Sequence, residues 1–280
     1  MLKEVVRDLS WADISARVAD FTVGGGGHLE ALLKNSSEPA SILAVDQDLD
    51  AIERCKVRLA PWTTKISWTH ANFSEIRASE HGTFDRILVD LGVSSFQLDQ
   101  AERGFSFQKE GPLDMRMNAS DTVAPAWQRL AQCSEEELAD VFFHYGEESR
   151  ARKFARKWME IRGRSEIKTT GAFVRSFGFE LDSKDRQGRH PLTKIFQALR
   201  IWVNDELGSL ETLIEQLPTL LNLHGRVGII TFHSLEDRAV KWGLRESLKP
   251  LHKKPVGPTD GEIEQNARAR SAKLRVFEKL

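Results

Sequence analysis

Apolar and polar positions follow two different rhythms along this chain. Before residue 98, short apolar runs of strand length are separated by stretches with helical spacing. Residues 17–23 (RVADFTV) predict a strand that runs into four glycines at 24–27. Residues 28–35 then predict a helix, SILAV at 41–45 a buried strand ending at Asp46, and 49–59 (LDAIERCKVRL) a second helix. KISWTH at 65–70 and FDRILVDLG at 84–92 predict two further strands. Strands separated by helix-length segments imply βαβ units and a parallel sheet. Right-handed crossovers place the helices on both faces.

The rhythm changes after Leu98. Residues 99–120, with Gly104, Gly111 and Pro112, read as a long loop, and loops of that length are usually functional or mobile. Residues 121–180 carry helical spacing, with Ser134 and Glu137 forming a capping-box signature ahead of LADVFF. A long helical stretch follows at 190–217, with Pro191 near its start. GRVGIITF at 225–232 returns as a parallel-type strand, a helix begins at about 234, and AKLRVFEKL alternates as a last strand. The expectation is an α/β protein. Its mostly parallel sheet comes from 1–104 and 189–280, interrupted by a loop and helical insert at 105–188. No internal repeat or low-complexity tract interrupts this order.

Composition narrows the class. Hydrophobic residues make up 40% of 280, enough for a sizeable core and too many for a disordered chain. No apolar run approaches the ~20 residues of a membrane helix. MLKEVVRDLS lacks the apolar core of a signal peptide, so a cytoplasmic location is expected. Cys55 and Cys133 are too few for a disulfide scaffold or a Cys-based zinc cluster. Both lie in helical patterns and are expected as small buried hydrophobes. Lys+Arg number 40 against 41 Asp+Glu, but the charge is locally uneven. Arg150, Arg152, Lys153, Arg156, Lys157, Arg162, Arg164 and Lys168 crowd one segment, and Arg268, Arg270, Lys273, Arg275 and Lys279 another. Each could be a solvated face; two such segments on a neutral chain favour a polyanionic partner.

The glycine run carries the first chemistry. Glycines between a strand and a helix let backbone approach a ligand closely, and the helix start offers unpaired amides. A tight turn without a ligand is the plainer alternative. A dinucleotide fingerprint needs G-x-G-x-x-G/A, and its last position falls on Leu29 or Glu30 here. No Gly-Lys-Ser/Thr follows for a Walker loop. Asp46, 20 residues past Gly26, can accept both ribose hydroxyls of an adenosine. A glycine loop and ribose clamp without a pyrophosphate fingerprint point to S-adenosylmethionine. Its sulfonium would favour nearby carboxylates, and Asp20 and Asp90 are the candidates. Phe73 could pack on the adenine or simply belong to the core, and Gln97 could reach the cofactor from its loop.

These residues together resemble the bacterial ribosomal RNA small subunit methyltransferase H family, also called MraW. The matching text is DFTVGGGGH (20–28), AVDQD (44–48), DLGVSSFQLDQAERGFSFQKEGPLDMRMN (90–118), RHPLTKIFQALRIWVNDEL (189–207), GRVGIITFHSLEDRAVK (225–241) and NARARSAKLRV (266–276). The resemblance implies a class I S-adenosylmethionine-dependent methyltransferase fold, Rossmann-like, with a helical insert. It implies methyl transfer to the exocyclic N4 amine of a cytidine in 16S rRNA, at the decoding centre of the 30S subunit. It places Gly26, Gly27, His28, Asp46, Phe73, Asp90 and Gln97 around the cofactor, and it leaves a homodimer open. The chain departs from the family in three places. Family members carry several residues, including a His and a Pro, before the segment that MLKEVV matches, so the chain reads as starting late. Position 267 is Ala where Pro is usual, and 242–262 is shorter than in many members.

A cytosine amine is a poor nucleophile because its lone pair delocalises into the ring. Asp90 is therefore the expected catalytic residue, orienting the amine or taking its proton. A target base in structured RNA must be splayed out. The loop with Phe105, Phe107, Arg116 and two methionines is expected either to shape that side of the pocket or to pack between sheet and insert. The basic segments would grip phosphates. HSLEDR at 233–238 holds Ser and His, but no G-x-S-x-G elbow exists for a hydrolase. Three rivals remain: a methyltransferase of another substrate, a nicotinamide oxidoreductase, and a non-catalytic rRNA-binding assembly factor.

Overall fold

A computed structural model describes residues 1–119, 122–163, 166–185 and 188–280. Strands β1 (Arg17–Asp20), β2 (Ser41–Asp46), β3 (Ile66–His70), β4 (Phe84–Asp90), β5 (Leu221–Thr231), β6 (Lys249–Pro250) and β7 (Lys273–Glu278) form one sheet in the order β3-β2-β1-β4-β5-β7-β6. β1 to β5 run parallel, and β7 lies antiparallel between β5 and β6. The helices in chain order are α1 (Leu2–Leu9), α2 (Gly27–Lys34), α3 (Leu49–Arg58), α4 (Ala78–His81), α5 (Ser95–Asp99), α6 (Ala126–Gln132), α7 (Glu135–His144), α8 (Ala151–Ile161), α9 (Thr170–Ser176), α10 (Thr193–Asn204), α11 (Glu206–Leu220), α12 (Ser234–Gly243) and α13 (Asp260–Gln265). Among the described residues no helix is long and apolar enough to cross a membrane. The sheet, with its one reversed strand and flanking helices, is a class I methyltransferase α/β fold.

The central strands read as continuous apolar runs because both faces of the sheet are covered. Successive side chains point to opposite faces. Val18, Ile42, Ala44, Leu88 and Ile230 enter one core cluster with Leu29 and Leu32 of α2 and Cys55 of α3. Ala19, Leu43, Val45, Ile87, Val89, Val227 and Ile229 enter the other with Leu213 and Leu217 of α11 and Val240 of α12.

The chain divides into two compact units, one of Met1–Gly92 with Leu207–Leu280 and one of Val93–Glu206. The sequence reading sets these boundaries at 104/105 and 188/189. Helix α10 accounts for the later return, since Ile195, Phe196, Ala198 and Leu199 are fully or almost fully buried in the core of the second unit. The single helical stretch read over 190–217 is two helices, α10 and α11, parted at Asp205, which adopts a left-handed φ of 47°. β5 starts earlier than read, at Leu221, and its pairing with β4 shifts register between Phe84 and Arg86. At α7 the Ser134 hydroxyl accepts from the Glu137 amide at 3.0 Å, as the capping signature predicts.

In the second unit the segment read as a long loop is pinned at several of its described residues. The Leu113 amide donates to the Lys168 carbonyl (2.8 Å) and the Met115 amide to the Arg103 carbonyl (3.0 Å). The Met117 amide donates to Asn204 Oδ1 (2.7 Å), and Asn204 Nδ2 donates to the Met115 carbonyl (2.8 Å). Phe105, Leu113, Met115 and Met117 are buried in the core of this unit with Phe142, Trp158 and Phe173. Phe107 packs against His190, with ring centroids 4.3 Å apart, and Arg116 pairs with Asp114 at 2.8 Å. Of the two roles expected for these side chains, packing is the one their surroundings describe.

Candidate active site

In an open parallel sheet a ligand crevice lies beyond the carboxyl ends of the strands, where strand order reverses. Here the chain moves outward from β1 through β2 to β3, then restarts on the other side of β1 with β4. β1, β2 and β4 meet at that reversal, and each ends in an aspartate: Asp20, Asp46 and Asp90. Past Asp20 the backbone stays wedged between its neighbours. The Phe21 amide donates to the Leu88 carbonyl and the Val23 amide to the Val45 carbonyl, both at 2.9 Å. The chain then turns through the glycines. Gly26 has φ 73°, which favours glycine, and a Cβ there would crowd Cys55 Sγ at 3.0 Å. Gly27 opens α2 and His28 follows it.

The three aspartates are held differently. Asp20 is buried, and its Oδ1 accepts from the Thr22 amide at 3.1 Å. Burial raises its carboxyl to about 8, and the charges of Asp90 and Asp46 push the same way. Asp46 accepts from the Gly24 and Asp48 amides, 2.8 Å each, through different oxygens. Each oxygen keeps a second lone pair for a ribose hydroxyl. Burial outweighs those bonds and raises Asp46 to about 6. The Asp90 amide donates to Thr22 Oγ1 at 2.6 Å, which ties the end of β4 to the turn after β1. Burial, then the charge of Glu236, raises the Asp90 carboxyl to about 7. His28 Nε2 lies 3.6 Å from Asp90 Oδ2, and burial lowers its imidazole to about 4, so it is neutral at neutral pH.

Two polar atoms in this cluster lack a partner. Asp90 Oδ1 and His28 Nδ1 are buried with no hydrogen bond among the described residues. Unmet buried polar groups are costly, yet the Asp90 side chain as a whole is 31% exposed. A carboxyl with one buried, unmet oxygen and one accessible side fits a ligand that brings a donor or a positive charge. Three carboxyls of raised proton affinity fit a cation. The residues present therefore fit S-adenosylmethionine, with its sulfonium and ammonium groups.

The raised carboxyls have a stability consequence. The folded state keeps the Asp20 proton up to about pH 8, whereas an unfolded chain releases it near 4. Stability from this group is complete below pH 4 and is lost as pH rises through 8. Asp20→Asn keeps the acceptor for Thr22 and cannot ionise. It should stabilise the cofactor-free protein by about 5 kcal/mol at pH 8 and by nothing below pH 4. Urea unfolding at the two pH values measures the difference; an equal or negative effect at pH 8 would contradict the burial argument.

Of the other expected residues, Phe73 opens a short 3-10 turn after β3 and is buried in the core cluster of one sheet face. Gln97 belongs to the second unit, where its Oε1 accepts from the Ser94 amide at 2.9 Å in a capping box. Sequence reasoning missed two participants. Cys55 is buried as expected, but its thiol also donates to the Gly24 carbonyl at 3.0 Å, and burial pushes its pKa up to about 12. Glu236 is buried at the start of α12 and accepts from the Phe232 amide at 2.7 Å. The HSLE text was the available signal, because it is a capping box with His233 as the N-cap.

The basic segments separate on inspection. Arg152, Lys153 and Arg156 lie exposed along α8, while Lys157 Nζ donates to the Phe177 carbonyl at 2.8 Å. Arg164 lies outside the described residues. Arg268 and Arg270 are exposed, but Lys273 and Arg275 both bind Asp237, at 3.1 and 2.8 Å. The Lys279 ammonium donates to the Pro218 and Leu221 carbonyls. The C-terminal segment thus spends three of its five cations on the fold.

A profile of the MraW methylase family matches residues 1–280. The chain is 48% identical over 264 residues to the ribosomal RNA small subunit methyltransferase H of Nostoc punctiforme, covering 93% of this chain and 87% of that one. It is 46% identical to the protein of the same name from Trichodesmium erythraeum, covering 93% and 91%. Among solved structures, the N-methyltransferase NodS from Bradyrhizobium japonicum in complex with S-adenosyl-L-homocysteine aligns with a TM-score of 0.45 at 10% identity, over 99% of this chain and 85% of that one.

Proposed function

Because the chain belongs to the MraW methylase family, with S-adenosylmethionine as its cofactor, we propose that it methylates small-subunit ribosomal RNA, at the N4 amine of a cytidine in 16S rRNA at the decoding centre. The relatives' shared name supports the RNA substrate. The observation that carries the reading is the row of strand-end aspartates with the unmet Asp90 oxygen. The protein works in the cytoplasm on the 30S subunit.

S-adenosylmethionine supplies a methyl group already activated on a sulfonium. The glycine turn and Asp46 hold its nucleoside end, and Asp20 and Asp90 face its positive charge. Asp90 is the catalytic residue: its carboxylate accepts a hydrogen bond from the cytosine amine, turning the nitrogen lone pair toward the methyl, and takes the proton that the amine loses as its bond to the methyl forms. His28 stays neutral beside it, so the carboxylate is not spent on an imidazolium. Phe73 completes the cofactor contacts of this unit in this reading. The exposed cations of α8, with Arg268 and Arg270, contact phosphates, which fixes register without reading sequence.

The test is tritium transfer from methyl-labelled S-adenosylmethionine to 30S subunits lacking the modification, followed by nucleoside analysis. Label in N4-methylcytidine is expected. No label with cofactor binding intact by calorimetry would refute the substrate and keep the fold. Affinity for the RNA should also fall about a hundredfold between 50 and 200 mM salt, as about five phosphate contacts on a single strand require; a salt-independent affinity would remove the phosphate role.

A further inference from the structure

A third basic run lies apart from the 150–168 and 268–279 segments. Between 238 and 254, Arg238, Lys241, Arg245, Lys249, Lys253 and Lys254 face a single acid, Glu246. Arg238, Lys241, Trp242 and Arg245 stand at i, i+3, i+4 and i+7, the spacing of one helical face. They run along α12 and its continuing turn, and all are exposed. The Trp242 indole is 53% exposed. Lys241 Nζ lies over its ring, 4.6 Å from the centre, and the Arg245 guanidinium lies over it at 5.2 Å, so a stacking base takes the place of one of these flexible side chains. Neither cation has an ion-pair partner among the described residues.

The opposite side of α12 is firmly seated. Glu236, Val240 and Leu244 are buried, Asp237 binds Lys273 and Arg275 of β7, and a Cβ on Gly243 would meet Ile214 of α11 at 2.6 Å. The exposed stripe is therefore a rigid shelf carrying a half-open aromatic between two unneutralised cations. An exposed indole offers a flat apolar face, which every nucleobase can stack on. Adjacent cations match the phosphates on either side of such a base.

We propose that this shelf of α12 is a docking surface for single-stranded RNA, with one base stacked on Trp242 and flanking phosphates on Lys241 and Arg245. The proposal rests on the ribosomal RNA reading above and adds to it a contact outside the cofactor crevice. An acidic protein segment would satisfy the cations and would leave the indole without a flat partner, so RNA is the occupant that uses all three side chains.

The test is fluorescence anisotropy with a labelled single-stranded oligonucleotide of small-subunit rRNA sequence, alongside methyl transfer to 30S subunits. Trp242→Ala should weaken oligonucleotide binding about tenfold, and Trp242→Phe should restore most of it. Lys241→Gln with Arg245→Gln should weaken binding and flatten the salt dependence by about 1.4 log units per log unit of salt, the share of two phosphates on a single strand. Cofactor affinity by calorimetry should be unchanged in every variant, which shows that each is folded. If the wild type binds and methylates RNA and the variants do so equally well, the shelf is not an RNA surface. If poly-glutamate displaces the oligonucleotide and Trp242→Ala has no effect, the cations serve an acidic protein and the proposal fails. If the wild type neither binds nor methylates RNA, the substrate reading falls and takes this proposal with it.

Discussion

Replacing Asp90 with Ala is expected to lower methyl transfer at saturating cofactor by about 10²–10³-fold, the usual cost of removing one preorganised group aimed at developing charge. The expectation comes from placement. Asp90 is the last residue of β4, its amide is fixed to Thr22, one carboxyl oxygen is buried without a partner, and part of the side chain is open. Asp90→Asn preserves the shape and removes the charge. A loss of similar size in Asn would assign the effect to charge, whereas a near-normal rate would leave Asp90 as a cofactor contact only. The pH profile gives an independent readout. With the carboxyl raised to about 7, the free enzyme should show kcat/KM for RNA rising with pH and levelling above that value. A nearby cation favours the ionised form, so kcat, which reports the loaded enzyme, should level at a lower pH. Identical profiles, or a fall through this range, would rule out an ionised Asp90 as acceptor.

Gly111→Ala is expected to cost about 3–5 kcal/mol of stability, at the upper end for a single substitution. A Cβ at Gly111 would stand 1.9 Å from the Ala101 carbonyl oxygen and 2.5 Å from its carbon. The obstacle is backbone, so no rotamer change relieves it. Gly104 makes the reciprocal approach: its φ is 71° and a Cβ would meet the Pro112 carbonyl oxygen at 2.2 Å. Residues 101–104 and 111–114 thus cross with main chain against main chain, and only glycine permits the crossing at either point. Urea unfolding of Gly111→Ala beside Gly25→Ala, whose Cβ would meet nothing within 4 Å, provides the comparison. Equal stabilities would mean the crossing is looser than described.

That crossing shows where the sequence was and was not legible. The parallel strands could be read because burial on both faces leaves uninterrupted apolar runs such as SILAV, and the strand-end aspartates could be read because they break those runs. The glycines of the 99–120 segment announced irregular backbone but not whether it was free or packed. Phe105, Met115 and Met117 enter a core whose other members, Phe142 and Phe173, come from distant helices, and no local pattern reports such a pairing. The break between α10 and α11 was hidden because Asp205 is not a customary helix breaker, and Pro218 near the end of α11 breaks nothing. Gln97 is expected at the cofactor from its place on the loop; its amide oxygen also closes the cap of α5, a local use that Ser94 three residues earlier could have suggested.

The order of strands also constrains how the chain reaches this structure. β4 pairs with β5 along most of its length, yet the whole second unit lies between them in sequence. During synthesis β1 to β4 can assemble while the outer side of β4 remains an open edge, the kind of surface that recruits wrong partners. The second unit is one uninterrupted segment with its own core, so it can collapse locally before β5 exists. Folding it early shortens the wandering chain that separates β4 from its mate and lowers the entropy of bringing them together. β7, which must slot between β5 and β6, arrives after both, so it locks the sheet between two strands already made.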